Sequence, residues 1–334
     1  MKRLVVIIVA LVLVAAAAAG LYYQWGLQAA DPTGEQRLIY LPQGQGVWAL
    51  AATLHDEGII RSAAVFYVAY HIYIRSGNSG NLAASYFDLS PTDPIPRIIN
   101  EGLRRPASRS LTFPEGFTLK QMAARIGAGE LRVSEQGFLK AASSSQLANP
   151  PGFELASDSL DGYLFPDTYQ IAIGTTAEEI VAEMLVNFER KFYEKYEQQI
   201  AASGFSLHEL VTIASLIEKE AKTDKDRGLT ASVIHNRLGK GMKLQIDATV
   251  QYALPQHKER LLHSDLRVAS PYNTYLHEGL PPGPICNPGL ACLEAALKPP
   301  RTDYLYYVAR EDGSHTFSRT YAEHLAAIGK ARAR

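Results

Sequence analysis

An uncharged apolar segment at the N-terminus is the feature that most constrains how this 334-residue chain can fold. Residues 4–23 are almost entirely leucine, valine, isoleucine and alanine, and they follow Lys2 and Arg3. A helix of about 20 such residues crosses the core of a bilayer. The two cations predict a cytoplasmic N-terminus, and the aromatic residues at 22–25 suit the opposite interface. We therefore predict a single-pass anchor in the inner membrane, with the rest of the chain on the periplasmic side.

A cleaved signal peptide is the alternative interpretation of this segment, because Ala15–Ala19 offers small residues for cleavage. The apolar run is long for a signal peptide and continues past the alanines, which favours an uncleaved anchor. The remaining chain is long enough for two domains. A net charge of −1 with interspersed signs argues against a nucleic-acid partner. We find neither an H-E-x-x-H nor a C-x-x-C motif, and we predict no metal and no cofactor.

The pattern beyond the anchor predicts an α+β fold, in which a small mixed module (31–130) precedes a larger mixed domain (131–334). Residue periodicity and turn residues predict strands and helices along both parts. The predicted strands are 37–41, 108–113, 303–310 and 315–318. The predicted helices are 47–57, 63–74, 94–102, 118–126, 133–144, 176–199, 205–222, 225–238, 248–253 and one after Thr320.

Glu218 is the strongest candidate for a reactive side chain. It lies in the predicted helix 205–222, whose start carries a capping-box pair, Ser206 and Glu209. Its position falls inside the apolar stripe of that helix, where lost hydration raises the pKa of a carboxyl group. Such a group can hold a proton near neutral pH and donate it. Glu220 is predicted to point to the opposite side, into water.

The alternative for Glu218 is a surface ion pair with Lys222, four residues further along the helix, worth a few tenths of a kcal/mol. Structural ion pairs also perturb pKa values, so position in the stripe does not by itself establish catalysis.

Six stretches in a fixed order resemble the YceG-like family, the endolytic murein transglycosylases. They are LTFPEGFTLKQMA (111–123), DGYLFPDTY (161–169), LIEKEA (216–221), GMKLQIDATVQYAL (241–254), PYNTYLHEGLPPGPICNPG (271–289) and GSHTFSRTYAEH (313–324). The resemblance covers nearly the whole chain. Asp161 stands where a glutamate is expected, and Cys286 and Cys292 are not part of the pattern.

The resemblance implies a membrane-anchored enzyme with a LysM-like subdomain and a catalytic domain. It implies cleavage of the β-1,4 bond between MurNAc and GlcNAc within nascent glycan strands, with Glu218 as the catalytic acid. Peptidoglycan strands would be the substrate, and peptidoglycan synthases would be neighbouring partners.

The chemistry of the cleavage depends on how many carboxylates take part. A hydrolase uses two, one acid and one base or nucleophile. A lytic transglycosylase uses one, which protonates the leaving oxygen and then deprotonates the C6 hydroxyl that closes onto C1. Asp247 is the candidate second carboxylate. Its alternative is an N-cap for the helix 248–253, a position that aspartate favours.

Further candidates for substrate binding lie in the same motifs, each with a structural alternative. Gln245 and Asn236 carry amides that suit an N-acetyl group, or they serve as ordinary surface and helix residues. Tyr272 offers an aromatic face, beside the amide of Asn273. Pro281 and Gly283 belong to a rigid loop whose backbone can approach a ligand, or which is only a tight connector.

Three functions follow from these observations. The first is a lytic murein transglycosylase that uses Glu218 alone. The second is a lysozyme-like hydrolase that uses Glu218 and Asp247. The third is a non-catalytic peptidoglycan-binding scaffold of the elongation machinery, in which Glu218 is an ion pair.

Overall fold

A computed structural model describes residues 2–42, 44–78, 84–143, 152–157 and 159–332. The chain forms two compact units. Unit 1 comprises Met1–Arg109 with Ile171–Gly174, and unit 2 comprises Ser110–Gln170 with Thr175–Arg334. Both contain helices and strands, which confirms the predicted mixed α+β class.

Unit 1 is built around one antiparallel strand pair, in which Ile39 is paired with Phe87. Both residues are buried in a core that the helices of the unit complete. The elements of unit 1 are α1 (Lys2–Leu27), β1 (Arg37–Leu41), α2 (Val47–Asp56), α3 (Ala63–Arg75), β2 (Ser85–Leu89) and α4 (Ile95–Asn100), followed by a 3₁₀ turn at Gly102–Arg104.

Helix α1 is long and apolar enough to cross a membrane, and it is the one helix with that property in the described ranges. Its first two-thirds expose apolar side chains such as Leu4 and Val14. Its end packs on α3, where a Cβ added to Gly26 would lie 2.5 Å from Val65 Cγ2. The exposed part is what a lipid-facing helix requires.

A second strand pair joins β3 (Ser108–Thr112) and β4 (Thr168–Ala172), and both strands span the division between the units. The first of these strands matches the prediction. Neither β2 nor β4 was predicted. The sequence of β2, SYFDL, lacks the clean alternation that marks a half-buried strand, whereas TYQIA in β4 does alternate and was overlooked beside the proline-containing aromatic segment.

Unit 2 is mainly helical and ends in an antiparallel hairpin. Its helices are α5 (Leu119–Gly127), α6 (Glu135–Ala141), α7 (Ala177–Phe188), α8 (Glu194–Ala202), α9 (Leu207–Glu220), α10 (Asp224–Gly239), α11 (Asp247–Ala253), α12 (Leu290–Leu297) and α13 (Tyr321–Arg332). Its strands β5 (Tyr306–Ala309) and β6 (His315–Ser318) pair as predicted. A π-helical stretch, Glu189–Tyr193, joins α7 to α8 where one continuous helix was predicted.

Helix α9 is the centre of unit 2 and packs against α10, α11 and α12. Its capping box is confirmed: the Glu209 N–H donates to Ser206 Oγ at 3.2 Å, and the Ser206 N–H donates to Glu209 Oε2 at 2.8 Å. Its middle is buried without interruption from Leu210 to Ile217. The helix ends at Glu220, two residues before the predicted end, because Ala221 is extended.

Candidate active site

Glu218 lies in the last turn of α9 and is half-buried. Its Oε2 accepts a hydrogen bond of 2.9 Å from the backbone N–H of Gly289, the N-cap residue of α12. A carboxylate at a helix N-terminus meets unpaired N–H groups and the positive end of the helix dipole. The end of α9 and the start of α12 thus hold one oxygen of Glu218 in a defined position.

The alternative ion pair with Lys222 does not form. Across the described residues, no salt bridge joins Glu218 to this lysine. The reason is the early end of α9: Lys222 follows the extended residue Ala221 and is no longer one helical turn above Glu218.

The P-E-G turn at residues 114–116 lies directly against the acid. A Cβ added to Gly116 would lie 3.4 Å from Glu218 Cγ, and the φ of this glycine is +78°. Lys219 Nζ donates to the Gly116 carbonyl at 2.6 Å, and the Gly116 N–H donates to the Asn287 carbonyl at 2.8 Å. Glycine is favoured here by the left-handed conformation, and the 3.4 Å distance is an ordinary van der Waals contact.

Glu115 brings a second carboxylate to this place, which sequence reasoning missed. A Cβ added to Gly289 would lie 1.9 Å from Glu115 Oε1. The Glu115 carboxylate therefore occupies the space that a side chain at position 289 would fill. Burial and the neighbouring charge of Glu218 raise the pKa of Glu115, and Arg227 opposes the shift. The P-E-G turn in the sequence was the available signal.

The cysteines are both free thiols in the core. Burial raises the pKa of Cys292, and the adjacent Glu218 carboxylate adds to the shift. Cys286 Sγ lies 3.4 Å from the Ser215 carbonyl. The Cys292 thiol is therefore neutral, and it presents a small apolar group beside the Glu218 carboxylate.

Asn287 joins three segments around the site. Its side-chain oxygen accepts from the N–H groups of Gly162 at 2.9 Å and Leu164 at 3.0 Å, and its amide nitrogen donates to the Phe117 carbonyl at 3.0 Å. The residue is fully buried. It thus ties the DGYLF segment and the P-E-G turn to the start of α12.

Asp161 belongs to the same network and is 6% exposed. It accepts from Tyr252 Oη at 3.2 Å and from Asn287 Nδ2 at 3.3 Å. Burial raises the pKa of its carboxyl group to about 6. The neutral acid is therefore the form that the folded protein favours in mildly acidic solution.

A pH dependence of stability follows for Asp161. Because its pKa is raised on folding from 3.8 to about 6, its contribution is complete below pH 4 and is lost as the pH rises through 6. We expect about 3 kcal/mol of unfolding free energy to disappear over that range. In Asp161→Asn this part of the dependence should be absent. Urea unfolding of the detergent-solubilised chain, followed by far-UV circular dichroism from pH 4 to 7.5, measures it. Parallel curves for the two proteins would contradict the assignment.

The N-cap interpretation of Asp247 is wrong. Helix α11 begins at Asp247, Ile246 occupies the N-cap position, and there is no side-chain cap. Asp247 Oδ1 instead accepts from Tyr275 Oη at 2.6 Å. An aspartate in the first helical position still suits the dipole, but its hydrogen bond is to a tertiary partner.

The prediction that Glu220 lies in water is also wrong. The side chain is half-buried, and its Oε2 accepts from Tyr307 Oη at 3.0 Å. Burial raises the pKa of Glu220 to about 7, the charge of Asp247 adds to the shift, and hydrogen bonds from Tyr307 and the Ala248 N–H oppose it. The opposite face of α9 is covered by α11 and the C-terminal hairpin, which a helix period cannot reveal.

Two residues that were predicted to bind substrate donate hydrogen bonds to backbone carbonyl groups in this structure. Asn236 Nδ2 donates to the carbonyls of Thr302 at 2.8 Å and Tyr304 at 2.9 Å. Asn273 is fully buried, and its Nδ2 donates to the carbonyls of Leu266 at 3.1 Å and Val268 at 2.9 Å. Both amide nitrogens are thus occupied, and a direct contact of either with glycan stays a prediction.

Tyr272 and Gly283 come together, as their shared motif suggested. A Cβ on Gly283 would lie 3.5 Å from Tyr272 Oη and 3.3 Å from His208 Cε1. The Tyr272 ring lies 4.8 Å from that of Tyr252, the residue that donates to Asp161. Tyr252 and Tyr272 are both half-buried. They extend the hydrogen-bond network of Asn287 and Asp161 towards Gly283.

Gln245 and Pro281 complete the predicted set. Gln245 is exposed, has a left-handed backbone with φ of 52°, and donates its N–H to the Thr274 carbonyl at 3.1 Å. Pro281 is buried within the loop before α12. Their roles in binding also stay predictions.

Comparison with known proteins identifies the family. The model of the YceG-like family matches residues 39–330. The endolytic murein transglycosylase of Bacillus subtilis is 35% identical over 301 residues, which cover 86% of this chain and 82% of that protein. The same-named protein of Streptococcus pneumoniae serotype 2 is 31% identical over 320 residues, which cover 86% of this chain and 57% of the longer relative.

A solved structure gives the same result. A crystal structure of a yceG-like protein from Listeria monocytogenes is 35% identical and covers 88% of this chain and 99% of its own, with a TM-score of 0.59. The match extends across both units, and it confirms the resemblance found in the motifs. The chain therefore belongs to the YceG-like family.

Proposed function

We propose that this protein is a membrane-anchored endolytic murein transglycosylase, in which Glu218 is the acid and then the base. It cleaves the MurNAc–GlcNAc β-1,4 bond within nascent glycan strands and leaves 1,6-anhydro-MurNAc ends. The observation that carries the proposal is the fixed carboxylate of Glu218, held by the Gly289 N–H beside the P-E-G turn. The relatives that share most of this chain carry the name of that activity.

One carboxyl group is sufficient for this reaction. Protonated Glu218 donates its proton to the leaving GlcNAc oxygen as the C1–O bond breaks and an oxocarbenium-like state develops. The resulting carboxylate then accepts the proton of the C6 hydroxyl, whose oxygen bonds to C1 of the same sugar. Because nucleophile and electrophile belong to one residue, proximity replaces a bound water. The acid is regenerated in its starting form.

The two units take different parts in this proposal. Unit 1 holds the strand–helix–helix–strand order β1–α2–α3–β2 with its own core, and we assign it to the LysM-like subdomain predicted within 31–130. The catalytic domain predicted as 131–334 also requires the P-E-G turn, which lies in unit 2. Substrate binding is assigned to the exposed Gln245 and the Tyr272–Gly283 loop, and peptidoglycan synthases remain the proposed partners.

The product decides between the enzymatic mechanisms. Full-length protein in detergent is incubated with uncrosslinked glycan strands, and the ends are determined by mass spectrometry. The transglycosylase yields products 18 Da lighter than hydrolysis products, a difference of about one water per cleavage, because no water is added. Reducing ends would make this a two-carboxylate hydrolase. No cleavage by folded protein supplied with lipid would favour the scaffold.

The anchor gives a separate prediction about location. We propose that α1 places both units on the periplasmic side of the inner membrane, since Lys2 and Arg3 precede the apolar span. A phosphatase that needs disulfides, fused after residue 334, should be active in cells. The same fusion lacking residues 2–27 should be inactive. Equal activity of the two fusions would contradict the orientation.

A further inference from the structure

We propose that Glu115 is a positioning residue of the catalytic centre. Its negative charge acts through Glu218, by favouring the protonated form of that acid before the glycosidic bond breaks. The inference rests on the proposed function and assigns a role to the P-E-G turn. It also replaces Asp247, which hydrogen-bonds to Tyr275, as the carboxylate coupled to the acid.

The first support is that both carboxylates meet one glycine. The Gly289 N–H donates to Glu218 Oε2 at 2.9 Å, and Glu115 Oε1 lies 1.9 Å from where a Cβ of the same residue would be. Any side chain at position 289 would occupy the place of the Glu115 carboxylate. Glycine therefore allows two acids to lie against the same residue.

The second support is the way in which Glu115 is held. Its neighbour Gly116 is fixed by Lys219 Nζ from α9 and by the Asn287 carbonyl from the loop before α12, at 2.6 and 2.8 Å. Lys219 directly follows Glu218 in the sequence. The hydrogen bond from Lys219 therefore fixes the position of the P-E-G turn relative to Glu218. The Glu115 side chain itself reaches solvent.

The titratable groups around the pair come from three helices. Glu218 and Lys219 belong to α9, Asp224 and Arg227 to α10, and the neutral Cys292 thiol to α12. Arg227 Nη1 donates to Asp224 Oδ1 at 2.5 Å, so part of the Arg227 charge is already neutralised. Two neighbouring carboxyl groups resist simultaneous ionisation, because like charges repel.

This coupling serves both halves of the reaction. Before bond cleavage, an ionised Glu115 favours the proton on Glu218, where the leaving oxygen needs it. After the proton has gone to that oxygen, both groups are anionic, and their repulsion is relieved when Glu218 takes up the C6 hydroxyl proton. No additional reactant is required, because one proton leaves and one returns.

The test is the pH dependence of kcat/KM for Glu115→Gln in the full-length protein, with uncrosslinked strands as substrate. We expect activity at pH 8 to fall about tenfold and the alkaline limb of the profile to move about one pH unit lower, because the like charge is gone. Glu115→Asp keeps the charge and should retain the wild-type limb. Gly289→Ala, whose Cβ displaces the Glu115 carboxylate, should move the limb in the same direction.

Glu178→Gln is the matched control, since it removes one charge from the exposed start of α7. A Glu115→Gln profile that overlays that of wild type or of this control would overturn the inference. Thermal unfolding is measured for every variant, so that loss of the folded state is distinguished from a shift of the alkaline limb of the kcat/KM profile. Failure of the proposed function is distinguishable: it appears as full activity in Glu218→Gln or as no cleavage by wild type.

Discussion

Glu218→Gln should lower kcat/KM for glycan cleavage by at least about 100-fold. Glutamine has nearly the same shape and can still accept the Gly289 N–H bond seen at 2.9 Å. It cannot donate the proton that the leaving oxygen needs, nor accept one from the C6 hydroxyl. Cleavage of uncrosslinked strands by the full-length variant, quantified by mass spectrometry of the new ends, measures the loss.

The matched control is Glu209→Gln on the same helix. Glu209 forms the N-terminal capping box of α9, where glutamine serves equally well. This control should keep wild-type activity and stability. If Glu218→Gln cleaved strands as fast as the control, Glu218 would be a structural acid and the mechanism proposed here would be wrong.

Asn287→Ala should lower the free energy of unfolding by about 4 kcal/mol. The substitution leaves the N–H groups of Gly162 and Leu164 without a partner in the core. The Phe117 carbonyl keeps the backbone N–H of residue 287 as its donor, at 2.8 Å. Each buried, unsatisfied group costs about 1–3 kcal/mol. The loss also releases the DGYLF segment from the start of α12, whereas the P-E-G turn keeps its backbone hydrogen bond to residue 287. We therefore expect activity to fall with stability.

Urea unfolding followed by far-UV circular dichroism gives the stability of this variant. Gln256→Ala removes an amide from an exposed loop position and should change the unfolding free energy by less than about 0.5 kcal/mol. A loss in Asn287→Ala as small as in this control would show that water replaces the missing hydrogen bonds, and that Asn287 does not hold the site together.

Several elements were predictable because their causes are local. The capping box of Ser206 and Glu209 joins groups three residues apart, and the hairpin near the C-terminus follows from alternation around a turn. The family resemblance added the prediction that Glu218 is the catalytic acid. These features depend on a few neighbouring residues or on an ordered set of motifs, and both can be recognised in a single sequence.

The errors in prediction have a common cause as well. Glu220 and Asp247 were assigned from helix position alone, to water and to an N-cap, and both instead accept hydrogen bonds from tyrosines distant in the sequence. Strand β4 alternates in sequence, but its pairing with β3 joins segments far apart in the chain. Tertiary packing decides which strands pair and which face of a helix is covered. The secondary-structure propensities of individual residues carry no information about that packing.

By itself, the sequence determined the apolar N-terminal helix, the α+β class, the helix that carries Glu218 and the family. Only the tertiary structure decided which groups meet that acid: the N–H of Gly289, 71 residues further along the chain, and the carboxylate of Glu115. The physical reason is range. Capping and periodicity act within a turn or two of chain, whereas hydrogen bonding, burial and charge act through space, between residues that only the folded chain brings together.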